Sequence, residues 1–356
     1  MTKPILAAFL SCEGYSLKDE EKFVLEQANP LGITLFARNI KDKIQLQHLT
    51  KEIKKVIGRP DVLIAIDQEG GRVRRLAEPD FRSYSAQIDI GSLKDKKAKE
   101  AASLHAKLIS SDLKQMGFNV NFAPVLDIIH TNTTQSLYSR CFSNQPKTVA
   151  SLGKVMIKTY MDNAILPCIK HLPGHGLATT DPHLSLPVIN EPLEVISQEL
   201  LPFKKCHFSP LGMTAHIFLP TIDKRNPLTQ SAAGIKLLIR EMAQFDGLLI
   251  SDAIDMKALK GTITEKAQKS IEAGCDCICY CMGNINELKA LRDFCPKLSD
   301  EATERLDKAI QILHNNILSE VTSSDIEKYD SLMGEIPPYK ETYDATEVLH
   351  QLQKKD

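Results

Sequence analysis

The chain has 356 residues, 43% of them apolar, and 44 basic against 45 acidic side chains give it a formal charge of −1. That is enough apolar material for one large barrel or two ordinary domains, while the balanced charge leaves no electrostatic footprint for nucleic acid or an anionic membrane surface. No apolar run approaches the ~18–20 residues that a membrane-spanning helix needs.

Leu6–Ser11 is the first apolar segment with strand character. A lipoprotein leader ending at Cys12 competes for the same stretch, with Lys3 as its one cation, but Phe9 and Leu10 fall where a leucine and a small residue are wanted. The segment is therefore read as a strand and the protein as cytoplasmic. Nine cysteines without the spacing of a disulfide framework suit the same reducing compartment.

A second strand is expected over Ile33–Phe36, a helix over Lys41–Ile57 and a third strand over Val62–Ile66. Immediately after it comes Asp67-Gln68-Glu69-Gly70-Gly71-Arg72-Val73-Arg74-Arg75, whose carboxylates and guanidinium groups suit a hydroxyl-rich ligand through paired, directional hydrogen bonds. A surface salt-bridge cluster would look the same, and one of Arg72 and Arg75 is expected to brace the loop. A helix over Ala98–Met116 precedes the fourth strand, Val120–Ala123, where Asn119 and Asn121 lie two apart and so share a face, fit to tie layers together. Asp127 follows it, placed to touch a ligand or orient a neighbour.

After a helix over Lys147–Asp162, the fifth strand, Ile165–Ile169, ends at the densest stretch of chemistry in the chain, Lys170-His171-Leu172-Pro173-Gly174-His175-Gly176, followed four residues later by Asp181-Pro182-His183. Proline pushes the residue before it toward an extended conformation, so the Asp181 and His183 side chains can face the same way. The carboxylate can then fix the imidazole's tautomer and support its protonated form, although an Asx-turn with a surface histidine fits the spacing too. A helix over Pro192–Lys205 leads to strand Leu211–Thr214 and His216, and a helix over Gly234–Gln244 to strand Leu248–Ile250 and Asp252, which is either catalytic or a helix N-cap. A helix over Glu265–Ala273 precedes the eighth strand, Cys277–Tyr280. Cys275, Cys277, Cys279 and Cys281 alternate here; on one face of a strand, ~6.6 Å apart, they could not converge on one metal ion, so they are read as core.

Strands alternating with helices imply parallel βαβ units, and eight of them imply an α/β fold, a single TIM-like (β/α)8 barrel over residues 1–321. A barrel also explains why Asp67, Asp127, Lys170, His171, His216 and Asp252 all follow strands: they would converge on its C-terminal mouth. Residues 322–356 are read as a short C-terminal tail with at most one helix, including a weakly amphipathic piece from Ala345 to Lys355.

The Asp-Gln-Glu-Gly-Gly-Arg-Val run, the Lys-His-x-Pro-Gly-His-Gly-x4-Asp-x-His loop and the Ser-Asp-x-x-x-Met strand end, in that order between about Gly32 and Gly283, resemble glycoside hydrolase family 3, in its single-domain β-N-acetylhexosaminidase branch of peptidoglycan recycling. The resemblance implies a retaining exo-enzyme without metal or cofactor. Asp252 would be the nucleophile, His183 held by Asp181 the general acid/base, and Asp67, Arg75, Arg140, Lys170 and His171 the terminal sugar subsite. The implied partner is a small carbohydrate, N-acetylglucosamine-bearing cell-wall fragments, handled by a monomer. Two departures stand out: Pro182 replaces the usual serine between the dyad residues, and Gln145 replaces a common aspartate after Arg140.

The rival readings are a β-glucosidase or a glycoside phosphorylase on the same barrel, a sugar-binding protein without turnover, and a metal hydrolase using His171, His175, His183 and Asp252.

Overall fold

In the computed structural model, which describes residues 3–340, the strands are β1 (Leu6–Leu10), β2 (Pro30–Leu35), β3 (Leu63–Ile66), β4 (Val120–Asn121), β5 (Leu166–Leu172), β6 (Leu211–Thr214), β7 (Leu248–Ala253) and β8 (Cys277–Cys279). Each pairs in parallel with the next, and β8 pairs back onto β1, so the sheet closes into the expected barrel.

Around it run α1 (Asp19–Ala28), α2 (Lys43–Ile57), α3 (Gln87–Ser92), α4 (Asp95–Gln115), α5 (Gln135–Tyr138), α6 (Pro146–Asp162), α7 (Leu193–Lys205), α8 (Ala232–Gly234, winding on as a π-helix over Ile235–Met242), α9 (Ile263–Glu272), α10 (Ile285–Phe294), α11 (Asp300–Asn315) and α12 (Ser323–Met333). Helix α2 shows how locally these are encoded. The Asp42 carboxylate accepts a bond from the Gln45 N–H at 2.8 Å, Gly58 ends the helix with φ +74°, and Leu46, Leu49, Ile53 and Ile57 line the buried face at helical spacing.

Alternation along the strands divides the core in two. Ala7 and Phe9 of β1 point into the barrel with Ala65, Phe122, Met213, Ile250, Cys277 and Cys279, whereas Leu6, Ala8 and Leu10 face the helices. Ala302, Leu306 and Ala309 of α11 pack on the inner set and close the end where the strands begin. Chemistry is thereby left to the other end.

Four sequence expectations are adjusted. Strand β5 runs past Ile169, because the Leu126 N–H donates to the Lys170 carbonyl (2.8 Å) and the Ala215 N–H to that of Leu172 (2.7 Å); Lys170 and His171 therefore lie on the barrel wall, not in the loop. Strand β4 is shorter than expected, and Asn119 and Asn121 take over part of the pairing: Asn119 bonds the backbone of Val62 and Ile64, Asn121 that of Gln68. The helix expected over Gly234–Gln244 is mainly π-helical. Cys275 does not share a face with Cys277 and Cys279; it precedes the strand and packs in the outer layer.

Cys12 is buried just after β1, and among the described residues no helix is long and apolar enough to cross a membrane. Beyond residue 321, α12 packs on α4; the amphipathic piece from Ala345 to Lys355 lies outside the described residues.

Candidate active site

Strand ends place the expected residues around one mouth. Lys170, only 2% exposed, reaches from β5 to Asp67 Oδ1 (2.8 Å) and to Glu69 Oε1 (2.7 Å). Arg140 grips the same Glu69 with two bonds, Nε to Oε2 at 2.9 Å and Nη2 to Oε1 at 2.8 Å. Arg75 lies 3.5 Å from Asp67 Oδ2, while Arg72 donates to the Ser136 carbonyl, which makes Arg72 the loop brace and leaves Arg75 at the mouth.

Burial would push the Asp67 and Glu69 carboxyls up, but the neighbouring cations outweigh it and hold both below the usual carboxylate range, Glu69 far below. The same partners keep Lys170 above its ordinary value despite its burial. Asp67, Glu69 and Lys170 are thus charged near neutrality.

His171 stands beside this network. Its Nδ1 donates to Asp127 Oδ2 at 2.7 Å, and its Nε2 faces Arg140 Nη2 at 3.5 Å. Asp127 Oδ1 also accepts the His175 N–H at 2.6 Å, so one fully buried carboxylate fixes the Lys-His strand end and the turn after it. Glycine is required in that turn: a Cβ on Gly176 would strike the Ile128 carbonyl.

The His175 ring is buried, neither ring nitrogen bonds a protein atom, and burial lowers its pKa to about 4. An unfolded chain takes up that proton near pH ~6.5. Between these values the unfolded state binds more protons, so His175 should subtract stability as pH falls, with a slope approaching ~1.4 kcal/mol per pH unit. Urea unfolding of wild type and His175→Gln from about pH 7 to pH 4 tests this; equal slopes would contradict it.

On the loop after β5, His183 Nδ1 meets Asp181 Oδ1 at 2.7 Å, and the His183 N–H donates to the same oxygen at 2.9 Å. The Asx-turn and the carboxylate–imidazole pair are therefore one structure. Burial raises the Asp181 carboxyl, but its bonds from His183 outweigh that and hold it well below the usual range. The imidazole, 37% exposed, is left with Nε2 for another molecule.

Asp252 is the penultimate residue of strand β7, not a helix N-cap. Burial raises its carboxyl, yet the imidazoles of His216, His171 and His183 and the Ala253 N–H more than compensate, and it sits below the usual value. Its backbone is pinned from both sides. The Asp252 N–H donates to Thr214 Oγ1 (3.3 Å), which meets Thr229 Oγ1 (2.8 Å); Thr229 meets His216 Nδ1 (2.8 Å), and His216 Nε2 donates to the Ala253 carbonyl (3.0 Å). Asp255, three residues on, is occupied differently, accepting the Cys281 N–H at 2.8 Å.

All eight predicted site residues thus border one mouth. Three further residues complete the site: Asp127, expected to touch a ligand or orient a neighbour, and His216, expected only at the mouth, gain definite partners, whereas Glu69 had no role of its own in the sequence. Glu69 is the hub of the charged network, Asp127 the anchor of His171, and His216 the clamp on β7. Glu69 was visible only as the second carboxylate of Asp67-Gln68-Glu69. Among the described residues no three His, Cys, Asp or Glu side chains are placed to hold a metal ion.

A profile described as the glycosyl hydrolase family 3 N-terminal domain matches residues 6–315, more of the chain than the three motifs span. A β-hexosaminidase of Bordetella avium is 30% identical over 301 residues, 82% of each chain, and one of Neisseria gonorrhoeae is 34% identical over 276 residues, 75% of each. Among solved structures, NagZ from Neisseria gonorrhoeae in complex with N-trifluoroacetyl-D-glucosamine superposes with a TM-score of 0.81 at 29% identity, covering 93% of this chain and 98% of that one. A family 3 β-N-acetylglucosaminidase from Paenibacillus reaches 0.79 at 26% identity, over 92% of this chain and 66% of the other.

Proposed function

Because the chain belongs to glycosyl hydrolase family 3, we propose that its mouth removes β-linked N-acetylglucosamine from the non-reducing end of peptidoglycan fragments, with retention of configuration. That it is a glycoside hydrolase follows from the same relatives. The observation that carries the finer reading is the pairing of Asp252, held as a carboxylate, with an imidazole whose Nδ1 is fixed by Asp181. The bound N-acylglucosamine of the Neisseria relative supports the choice of sugar.

In the first step an Asp252 oxygen attacks the anomeric carbon as the bond to the aglycone breaks, and the proton on His183 Nε2 passes to the departing oxygen. His183 is then neutral, with Nδ1–H still on Asp181 and a lone pair on Nε2. In the second step Nε2 takes a proton from water as the water oxygen bonds the anomeric carbon and Asp252 leaves. Lys170, Arg140, Arg75, Asp67 and His171 bind and orient the sugar's hydroxyls. The buried thiols, none of them in a disulfide, fit our placement of this chemistry in the cytoplasm.

The test compares nitrophenyl N-acetylglucosaminide with nitrophenyl glucoside, with and without phosphate. The N-acetylglucosaminide should win by at least ~10²-fold in kcat/KM, since a site built for an amide leaves buried groups unpaired without it. Comparable rates would make the protein a glucosidase, and phosphate-dependent release of a sugar phosphate would make it a phosphorylase. An N-acetylglucosaminyl-anhydromuramic substrate tests the peptidoglycan assignment directly.

A further inference from the structure

We propose that α12, outside the family match, is a working part of the sugar pocket: Tyr329 on this helix and His105 on α4 are positioning residues that set Glu69, the hub of the charged network. The inference rests on the reading of that network as the sugar subsite.

Helix α12 is docked firmly. Thr322 and Asp325 form its capping box, Tyr329 and Leu332 are buried, and ion pairs join Lys107 to Asp325 (2.9 Å), Lys97 to Glu335 (2.7 Å), and Arg82 to Asp330. The Tyr329 ring packs with those of His105 and Tyr84, at centroid distances of 5.9 and 6.2 Å.

Donor and acceptor accounting fixes the direction of the bonds that follow. His105 is fully buried, and burial lowers its pKa to about 4, so it carries one ring proton. The Glu69 carbonyl, 2.9 Å from Nε2, can only accept, and therefore the proton is on Nε2. Nδ1 can then only accept, so the Tyr329 hydroxyl 2.9 Å away must donate to it. The phenol oxygen in turn accepts the Ser85 N–H at 3.2 Å. One polarised chain thus runs from Ser85 through Tyr329 and His105 to the backbone of Glu69, whose side chain holds Arg140 and Lys170.

Gly70 shows how closely this backing fits. Its φ is +99°, and a Cβ there would lie 2.7 Å from His105 Cε1 and would strike the Ser85 carbonyl. The loop carrying Asp67 and Glu69 rests on His105 with no space between.

Tyr329→Phe keeps the ring and its packing but removes the hydroxyl, leaving His105 Nδ1 without its donor and the Ser85 N–H without its acceptor. It should raise KM for nitrophenyl N-acetylglucosaminide and weaken equilibrium binding of N-acetylglucosamine by about tenfold each, leaving kcat nearly unchanged. His105→Gln, which keeps one donor and one acceptor, should bind the sugar more tightly than His105→Leu. A purely structural role would instead lower kcat through the folded fraction, with KM and sugar affinity unmoved. That outcome in Tyr329→Phe overturns the inference and leaves the proposed function standing. A wild-type protein that neither binds nor cleaves the sugar overturns both.

Discussion

Asp252→Ala should lose kcat by on the order of 10⁴-fold or more while keeping its fold. The carboxylate is the proposed nucleophile, and without it no covalent intermediate can form. The one hydrogen bond its side chain accepts within the described residues comes from the adjacent Ala253 N–H. The clamp built from Thr214, Thr229 and His216 touches only backbone at this position, so it survives the substitution. Thermal unfolding should shift by no more than a few degrees. A 5-fluoro derivative of N-acetylglucosaminyl fluoride, which lets the intermediate accumulate, should label the wild type at Asp252. Labelling at Asp255 or Asp67 would refute the assignment. Neither is well placed for attack, since Asp255 is engaged with Cys281 and pushed up by burial, and Asp67 is tied to Lys170.

His183→Ala should divide substrates by their leaving groups. A nitrophenolate departs without a proton, whereas a sugar hydroxyl does not, so the loss should be on the order of 10²–10⁴-fold for a natural disaccharide and much smaller for a good leaving group in the glycosylation step. Asp181→Asn should show a milder form of this pattern, because the amide can still hold the ring but lacks the charge that supports the imidazolium. Pro182→Ser changes only the stiffness of the loop and should move good and poor substrates by similar factors. A leaving-group series on the three variants checks the scheme. An equal loss across the series in His183→Ala would make the histidine structural.

Most of the barrel was legible because its code is local. The strands are short apolar runs, several of which lead straight into a polar residue such as Ser11 after β1 or Asp67 after β3, and helices such as α2 carry their own caps. Boundaries failed where tertiary pairing decides them: Lys170 and His171 are polar, yet the chain just past β4 and β6, at Leu126 and Ala215, holds them in β5. The mouth was legible for a related reason, since a barrel gathers every strand end to one place. What could not be read was who pairs with whom across the chain. Glu69 looks like any carboxylate until Arg140, 71 residues on, closes on it. Tyr329 lies 224 residues from the imidazole that it supports, and no periodicity encodes that distance.

The buried ionic cluster has a consequence for how the pocket meets its ligand. Lys170, Arg140, Glu69 and Asp67 already hold one another in place before any sugar arrives. Long side chains of this kind carry ~2 kcal/mol of rotamer entropy each, and here that freedom is surrendered during folding. On the proposed function, an incoming pyranose meets a template and not a set of wandering arms, and more of its contact energy is left for holding the distorted ring on the way to the transition state. Because the pairs are shielded from solvent, dissolved salt hardly reaches them. The rigidity of this charged cluster is thus, on the proposed function, a catalytic property that the fold supplies in advance.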